Sequence, residues 1–266
     1  MVSETHIPVT FILAGSGDAS RRLAVLQRQV RKENTENAPV IVWFPGFRSS
    51  MRSVKAEALD QWCVDNDLGC LRFDYSGHGE STGIFEESTF SHWLEDACAV
   101  LKHSQQKNFL FVGSSMGGWL ALQVALHLRK CAPDIQIKGL VLLAPAINFT
   151  ERLIWDRLPD EIRQLLMDER ILHVPSLDAD AIIPISWDLI QDGRKHLLYK
   201  EPLVLDIPVH ILQGKQDAHV PWQTALELFE HLASDLVQIT FINDADHSLE
   251  RVQDQEKIFA VIREFL

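Results

Sequence analysis

The feature that most constrains the fold of this 266-residue sequence is an alternation of short apolar runs with stretches of helical spacing. The runs with the length and composition of strands lie at 40–44, 70–73, 109–112, 139–143, 209–212 and 238–242. The helical stretches between and after them lie at 51–66, 88–105, 116–130, 221–232 and 250–266. Because strands covered on both faces are almost wholly apolar, this alternation predicts a mainly parallel sheet with helices on both faces.

The beginning of the chain shows a different strand pattern. Residues 7–13 and 22–29 alternate apolar and polar side chains, and the turn-rich sequence AGSGDAS joins them, which predicts an antiparallel pair. We therefore expect an eight-stranded, mostly parallel sheet with an antiparallel N-terminal pair. A chain of this length suits a single domain, residues 1–266.

One long segment, 147–201, interrupts the alternation. It has no clear strand pattern, but it carries helical patches at 150–158, 160–168 and 185–199. We expect a helical lid inserted after the sixth strand, over the strand ends where functional loops lie. An additional pair of packing helices is the alternative.

Charge and hydropathy exclude several classes of protein. A net charge of −12 argues against binding to nucleic acid, which requires a concentrated basic surface. The longest apolar run, 139–147, is far shorter than the ~20 residues that span a bilayer.

The start, MVSETHIPVT, lacks the features of a signal or transit peptide, so the expected location is the cytoplasm. The cysteines at 63, 70, 98 and 131 form no CxxC pair and are expected to be reduced.

The sequence GSSMG at 113–117 fits the pattern G-x-S-x-G with Ser115 at its centre. It follows a predicted strand and precedes a predicted helix, which is the context of a nucleophile elbow. Gly113 and Gly117 leave room for the tight turn, and Ser114 fills the variable position. The alternative is an ordinary strand-to-helix turn in which the serines cap the helix.

An elbow requires an acid and then a histidine on later strand loops. Asp217 follows the seventh predicted strand, and His247 follows the eighth. The imidazole would remove the serine proton, and the carboxylate would fix its tautomer and stabilise the imidazolium. The rivals for the acid are Asp244 and Asp246 in the histidine's own loop, and the rival base is His219.

The oxyanion of an acyl-transfer reaction needs two backbone donors. The Met116 N–H at the start of the helix is the first candidate, and the Phe47 N–H in the loop VWFPGFRSS is the second. An ordinary Pro-Gly turn is the alternative for that loop. Other histidines lie on polar faces of predicted helices, which favours solvated positions: His103, His127, His196 and His231.

These motifs resemble those of the α/β-hydrolase family over nearly the whole chain. The matching segments are FPGF, FDYSGHGES, VGSSMGGWLAL, ILQGKQDAHVP and DADHSL. Within the family, the insertion resembles that of bacterial relatives of the mitochondrial palmitoyl-protein thioesterase and acyl-glucuronide esterase. The resemblance implies the α/β-hydrolase fold and a structural role for His78. The chain departs from many members by carrying Pro45-Gly46 in place of a His-Gly pair before the oxyanion donor.

The expected function is a serine hydrolase of carboxylic esters or thioesters, acting on a small molecule or an acylated protein through an acyl-enzyme. No metal or organic cofactor is expected. Apolar side chains of the lid would line a slot for the acyl chain, or would pack as core: Leu153, Trp155, Leu158, Leu165 and Trp187. A serine peptidase and a binding protein with little turnover are the alternatives. The oligomeric state is open.

Overall fold

The computed structural model describes residues 7–17, 20–29, 38–175, 182–199 and 201–266. Parts of several predicted features lie outside these residues: the start of the chain, residues 18 and 19 of the first turn, and residues 176–181 and 200 of the lid.

The described residues form ten strands: β1 Thr10–Ala14, β2 Arg21–Arg28, β3 Val40–Phe44, β4 Cys70–Phe73, β5 Asn108–Ser114, β6 Gln136–Leu143, β7 Ile171–Pro175, β8 Ile182–Ser186, β9 Val209–Gly214 and β10 Val237–Ile242. Their α-helices are α1 Val54–Asp65, α2 Phe90–His103, α3 Met116–Cys131, α4 Asp160–Glu169, α5 Trp187–Gly193, α6 Trp222–His231 and α7 Val252–Arg263. In the part of the chain that the structure describes, no helix is long and apolar enough to span a membrane.

Eight strands form one sheet in the order β1-β2-β4-β3-β5-β6-β9-β10. The six strands from β4 to β10 in this order run parallel, whereas β2 is antiparallel to both β1 and β4. The predicted mostly parallel sheet with an antiparallel N-terminal pair is therefore confirmed. As a result, the loops after β3, β5, β9 and β10 emerge at one edge of the sheet.

The sheet is buried on both faces because alternate side chains of its central strands enter different cores. In β3, Val42 and Phe44 belong to one core, and Ile41 and Trp43 belong to the other. Helices α2, α3 and α6 cover the first face, for example with Trp93, Trp119 and Leu228, and helices α1 and α7 cover the second, with Leu59, Trp62, Ile258 and Ile262. This double burial explains why the strands appear in the sequence as apolar runs.

The segment between β6 and β9 differs from the predicted helical lid. A π-helical turn at Thr150–Ile154 and a 3-10 turn at Trp155–Arg157 lead into α4, but an antiparallel hairpin of β7 and β8 follows. The expectation of no strand here was wrong. The helix expected over 185–199 is present but begins at Trp187, because β8 extends to Ser186. The strands are short and contain Pro175 and Pro184, residues that a two-stranded edge tolerates but that hide a strand pattern in the sequence.

The end of this segment is fastened to α2. Both oxygens of the buried Asp192 carboxylate accept hydrogen bonds from Ser91, one from its backbone N–H at 2.7 Å and one from its hydroxyl at 2.9 Å. His196 Nε2 lies 2.7 Å from the same hydroxyl, and the His196 ring lies against Phe90 with 5.0 Å between ring centroids. The prediction that His196 is solvated was therefore wrong, since Asp192 and His196 together latch the lid to the first turn of α2.

Of the three other histidines that were predicted to be solvated, two are exposed and one is not. His103 and His127 are exposed, as predicted. His231 is partly buried and stacks on Tyr199 with ring centroids 4.3 Å apart, so its polar-face assignment was wrong. His196 and His231 are both covered through contacts between the inserted segment and the rest of the protein. The helical periodicity of a sequence does not reveal such contacts.

Removing the Asp192 carboxylate should loosen the latch. We expect Asp192→Ala to lower the free energy of unfolding by about 1–2 kcal/mol, the usual cost of losing a helix N-terminal acceptor. Amide hydrogen exchange should also accelerate in α5 and in the first turn of α2. The matched control is Asp188→Ala on the same helix, since that exposed carboxylate pairs, among the described residues, only with the exposed Arg170. Equal stability of the two variants would contradict the latch.

The latch should also weaken in acid. Burial lowers the pKa of His196 below 6.5. Burial acts to raise the pKa of Asp192, but its hydrogen bonds with Lys195 and Ser91 outweigh burial and lower it. Both groups bind protons less tightly in the folded protein, so this stability is present at neutral pH. The His196 contribution is lost as pH falls below 6.5, and the Asp192 contribution is lost below 3.8. After correction for the intrinsic pH dependence of amide exchange, the protection factors in α5 should therefore fall more in wild type than in Asp192→Ala between neutral and acidic pH.

Candidate active site

Ser115 occupies the sharp turn between β5 and α3. Its backbone has φ 55° and ψ −120°, a conformation that is costly for a residue with a side chain. Hydrogen bonds hold this conformation: the Ser115 N–H donates to the Leu143 carbonyl at 2.9 Å, and the Ser115 carbonyl accepts from the N–H groups of Gly118 and Ala146. The structure thus places Ser115 in the turn that the G-x-S-x-G pattern predicts.

Gly117 allows this turn to approach the loop that follows β3. A Cβ atom at Gly117 would overlap the backbone carbonyl groups of Phe44 and Pro45. Any side chain here would push the two loops apart. The glycine therefore sets the distance between the serine turn and the loop that carries Phe47.

His247 and Asp217 complete a chain of hydrogen bonds that begins at Ser115. His247 Nε2 lies 3.1 Å from Ser115 Oγ, and His247 Nδ1 lies 2.7 Å from Asp217 Oδ2. Asp217 follows β9 and His247 follows β10, so two neighbouring parallel strands deliver the two side chains. The three side chains that the sequence singled out therefore form one hydrogen-bonded chain above the strand ends, with His247 in the middle.

The Asp217 carboxylate is fully buried and has an unusually complete set of donors. Oδ1 accepts from the N–H groups of His219 and Val220 at 2.9 and 2.8 Å, and Oδ2 accepts from Gln213 Nε2 at 2.9 Å as well as from His247. Burial acts to raise the pKa of Asp217, but the hydrogen bonds from His247, Val220 and Gln213 outweigh it and lower this pKa. The carboxylate therefore remains ionised beside the imidazole at neutral pH.

The rival residues are engaged elsewhere. Asp244 pairs with Arg251 at 2.9 Å, and Asp246 Oδ1 accepts hydrogen bonds from Ser248. Neither carboxylate bonds to His247 in the described hydrogen bonds. His219 lies beside His247, with ring centroids 5.1 Å apart, but no described hydrogen bond joins it to Ser115. The geometry therefore favours Asp217 as the acid and His247 as the base.

The residues of the two candidate oxyanion donors, Phe47 and Met116, line the same cavity as Ser115. The Met116 N–H begins α3, where no preceding helical turn supplies an acceptor and where the helix dipole favours negative charge. The hydrogen bonds of the described residues include none from the Phe47 N–H. Gly46 packs against the serine turn, since a Cβ atom there would lie 3.4 Å from Ser115 Cβ. Two backbone donors are thus available close to the serine.

His78 braces the loop that contains Phe47. Its Nε2 accepts a hydrogen bond from the Arg48 N–H at 3.2 Å, and its Nδ1 lies 3.2 Å from the Ser76 carbonyl oxygen. Burial lowers the pKa of His78 to about 4, so the ring is neutral at pH 7 and can accept the Arg48 proton. The structural role implied for His78 is therefore to hold the backbone of Arg48, the residue next to the candidate oxyanion donor Phe47.

Two further positioning residues gave no signal in the sequence. Gln213, at the end of β9, is completely buried and donates to Asp217 Oδ2. Lys55, on α1, donates to the Ser248 carbonyl oxygen and lies 3.5 Å from Glu250, so it ties α1 to the loop that carries His247. Burial lowers the pKa of Lys55, as expected for an ammonium group enclosed by protein. In the sequence, a lysine on a helix looks like a solvated residue. The contact of Lys55 with the loop that carries His247 is visible only in the structure.

A cavity of about 430 Å³ opens onto Ser115. The strand loops supply Phe47, Met116 and His247 to its floor, and the lid supplies most of its walls. The lid side chains that line it are Leu153, Ile154, Arg157, Leu158, Leu166, Leu172, Val174, Pro175, Ile183 and Ile185. The volume lies within the usual range for small-molecule sites. The described residues contain no cluster of three metal-ligating side chains.

The predicted acyl slot is correct for only part of its residues. Leu153 and Leu158 line the cavity, but Trp155 and Trp187 pack on each other in the lid, with ring centroids 5.0 Å apart. Leu165 is 42% exposed. The β7–β8 hairpin, which the sequence did not predict, supplies the other aliphatic side chains of the cavity wall: Leu172, Val174, Ile183 and Ile185. His173 and Pro184 lie on the opposite face of the hairpin and line a second cavity.

A serine on a strand-to-helix turn, with an aspartate and a histidine on later strand loops of a mostly parallel sheet, is the arrangement of the α/β hydrolases. Comparison with protein families agrees: the family model described as Serine aminopeptidase, S33 (Hydrolase_4) matches residues 35–187, more than half of the chain. The chain belongs to this family.

Individual relatives resemble the chain over most of its length. A putative hydrolase from Agrobacterium vitis S4 is 38% identical, with a TM-score of 0.92 over 98% of this chain and 99% of its own. Alpha/beta hydrolase domain-containing protein 10 from mouse is 25% identical, with a TM-score of 0.84 over 97% of each chain. The mitochondrial palmitoyl-protein thioesterase ABHD10 of Homo sapiens is 28% identical over 86% of this chain and 73% of its own length.

Removing the acceptor on His78 should impair the candidate oxyanion site. We expect His78→Phe to lower kcat/KM by about tenfold, mainly through kcat, because the loop would hold transition-state charge less well. The phenyl ring preserves the packing on Phe85 and Trp93. Steady-state kinetics on a neutral ester would measure the change, with His127→Phe on the exposed surface of α3 as the control. Unchanged kinetics in His78→Phe would show that the loop does not need this bond.

Proposed function

We propose that the protein is a serine hydrolase that cleaves carboxylic esters or thioesters through an acyl-enzyme. The observation that carries this proposal is the hydrogen-bonded chain from Asp217 through His247 to Ser115 at the floor of an apolar cavity. A serine hydroxyl is a weak nucleophile, so a base within hydrogen-bond distance is the minimum requirement for this chemistry.

In the first half-reaction, Ser115 Oγ attacks the carbonyl carbon while His247 Nε2 removes its proton. The imidazolium that forms is stabilised by the buried carboxylate of Asp217, which remains ionised. The N–H groups of Phe47 and Met116 hold the oxyanion, and the helix dipole of α3 adds to this stabilisation. His247 then protonates the leaving oxygen or sulfur, and the acyl group remains on Ser115.

In the second half-reaction, His247 removes a proton from a water molecule, which attacks the acyl-enzyme. The same donors hold the second oxyanion, and Ser115 recovers its proton as the acid leaves. All groups that these two half-reactions use belong to this chain, and the lowered pKa of Asp217 keeps its carboxylate ionised, as the first step requires.

The cavity walls support substrates with an apolar acyl group. Side chains of Phe149, Leu153 and Val174 surround the space above Ser115, and burial of methylene groups there favours binding by about 0.8 kcal/mol for each. The name of the human relative, a palmitoyl-protein thioesterase, supports a thioester among the substrates. We therefore place medium to long acyl esters and thioesters, of small molecules or of proteins, first among the substrates.

The cavity lining disfavours the peptidase alternative. An aminopeptidase must hold a cationic amino terminus, but the cavity lining includes Arg48 and Arg157 and, among the described residues, no aspartate or glutamate. The alternative of a binding protein would not require the strained backbone at Ser115. Ester or thioester hydrolysis is therefore the better account.

Replacing Ser115 should remove both reactivity and turnover. We expect Ser115→Ala to lose labelling by a fluorophosphonate probe and to lower kcat by at least about 10³-fold. The neighbouring Ser114→Ala is the matched control, since Ser114 is buried and lies outside the cavity lining. Wild-type labelling of Ser115→Ala would rule it out as the nucleophile.

Asp217→Asn tests the acid separately. Loss of the carboxylate should lower kcat by about 10³- to 10⁴-fold, because the imidazole loses its correct tautomer and its counter-charge. Asp244→Asn and Asp246→Asn should retain most activity, since both carboxylates bond away from His247. A result in which one of these two variants is inactive and Asp217→Asn is active would reassign the acid.

A graded substrate series tests the reaction class and the depth of the cavity together. We expect kcat/KM for p-nitrophenyl esters and matched acyl thioesters to rise with chain length until the acyl group fills the cavity, at up to about fourfold for each methylene. An aminoacyl p-nitroanilide should be turned over poorly. Ser115→Ala serves as the blank, and a preference for the anilide would favour the peptidase function.

A further inference from the structure

The cavity above Ser115 carries positive charge in an acidic protein. Its ionisable lining residues are Arg48, Arg157, His219 and His247, and its described lining includes no carboxylate. The whole chain, in contrast, has a net charge of −12. Concentration of basic groups in a cleft with low-dielectric walls focuses a positive potential, which attracts anions.

Both arginines are available to a ligand. Arg48 and Arg157 are exposed, and neither forms an ion pair with a carboxylate among the described residues. Neighbouring lid arginines are paired: Arg152 with Glu227, and Arg194 with Glu151 at 2.7 Å. An unpaired guanidinium at a cavity offers donors that match the geometry of carboxylate and phosphate groups.

The two arginines approach the cavity from different elements. Arg48 follows Phe47, and its backbone N–H is held by His78 at 3.2 Å, which fixes it beside the candidate oxyanion donor. Arg157 ends the 3-10 turn of the lid, next to Leu158. An apolar wall that includes Phe149 and Leu153 belongs to the same cavity. A molecule with an apolar chain and a negative group would satisfy both kinds of surface.

A second cavity, of about 470 Å³, also borders Arg48. Its lining includes His78, His173 and the carboxylate of Glu86. Because Glu86 would repel an anion there and does not line the first cavity, we assign the negative group to the cavity that contains Ser115.

We propose that Arg48 and Arg157 select substrates that carry a carboxylate or a phosphate, so that the preferred substrates are anionic, amphiphilic esters or thioesters. The inference rests on the proposed function, because it concerns the substrate class of the same site. Arg48 and Arg157 act here as specificity determinants and take no part in bond making or breaking.

Matched thioesters test this preference. Hexanoyl thioesters of 3-mercaptopropionate, 2-mercaptoethyl phosphate and the neutral 3-mercaptopropionamide place a carboxylate, a phosphate or no charge on the leaving group. The adipic acid monothioester of 3-mercaptopropionamide, compared with its adipamide counterpart, places the charge on the acyl side. For wild type we expect at least about a tenfold higher kcat/KM for one anionic member over its neutral partner, decreasing as salt is raised. The pair with the largest ratio identifies the anion and the side of the scissile bond.

Substitution of the arginines should remove the preference. We expect the ratio of anionic to neutral kcat/KM to fall several-fold in Arg48→Met and in Arg157→Met, and to about twofold or less in the double variant. The matched control is Arg52→Met on the same loop, since Arg52 pairs with Glu80 at 2.6 Å and lines neither cavity. A ratio within one protein does not depend on the folded fraction, which fluorophosphonate labelling of Ser115 measures separately.

The outcomes separate the two proposals. If wild type cleaves anionic and neutral thioesters equally well, the preference for anions is wrong and the hydrolase function stands. If the preference persists in the double variant, the arginines are not its cause. If no thioester or ester is cleaved and Ser115 remains unlabelled, the proposed function itself fails.

Discussion

The backbone conformation of Ser115 is the constraint on which the rest of the site depends. A residue with a side chain held at φ 55° is unfavourable by itself, and it persists because β5, α3 and β6 fix it from both sides through hydrogen bonds to Leu143, Gly118 and Ala146. The turn lifts the hydroxyl above the sheet edge and leaves the Met116 N–H at a helix start. Gly117 then brings the loop of Phe47 close to the same point. The hydrogen bonds to the neighbouring elements thus hold Ser115 Oγ in one position in spite of the unfavourable backbone conformation.

The sequence predicted the sheet and its helices well because the central strands are covered on both faces. Runs such as VIVWF and FLFV have the length and composition of strands buried on both faces, and the observed β3 and β5 coincide with or extend those runs. The lid was predicted less well. Its strands β7 and β8 are half-covered, short and interrupted by prolines, so their pattern was no stronger than that of a helix.

The same distinction applies to the site. Ser115, Asp217 and His247 were found from the sequence because motif and chain order specify them, and the structure places them in contact. Residues that act through another residue had no such signal: Gln213, Lys55 and the hydrogen-bonding role of His78 depend on which loops pack together. Asp192 and His196 belong to the same group, since their partner Ser91 lies about one hundred positions earlier in the chain. Long-range packing of this kind is visible only in three dimensions.

The register of the lid hairpin has a consequence for how such a pocket can change. Leu172 pairs with Ile185 and Val174 with Ile183 on the face toward Ser115, whereas His173 and Pro184 share the opposite face. Because side chains alternate along a strand, the insertion or deletion of one residue in β7 would turn His173 toward the cavity in place of an aliphatic side chain, and the same change in β8 would turn Pro184 toward it. Substrate range in this architecture can therefore shift in a single genetic step, without any substitution among the residues that contact the reacting bond.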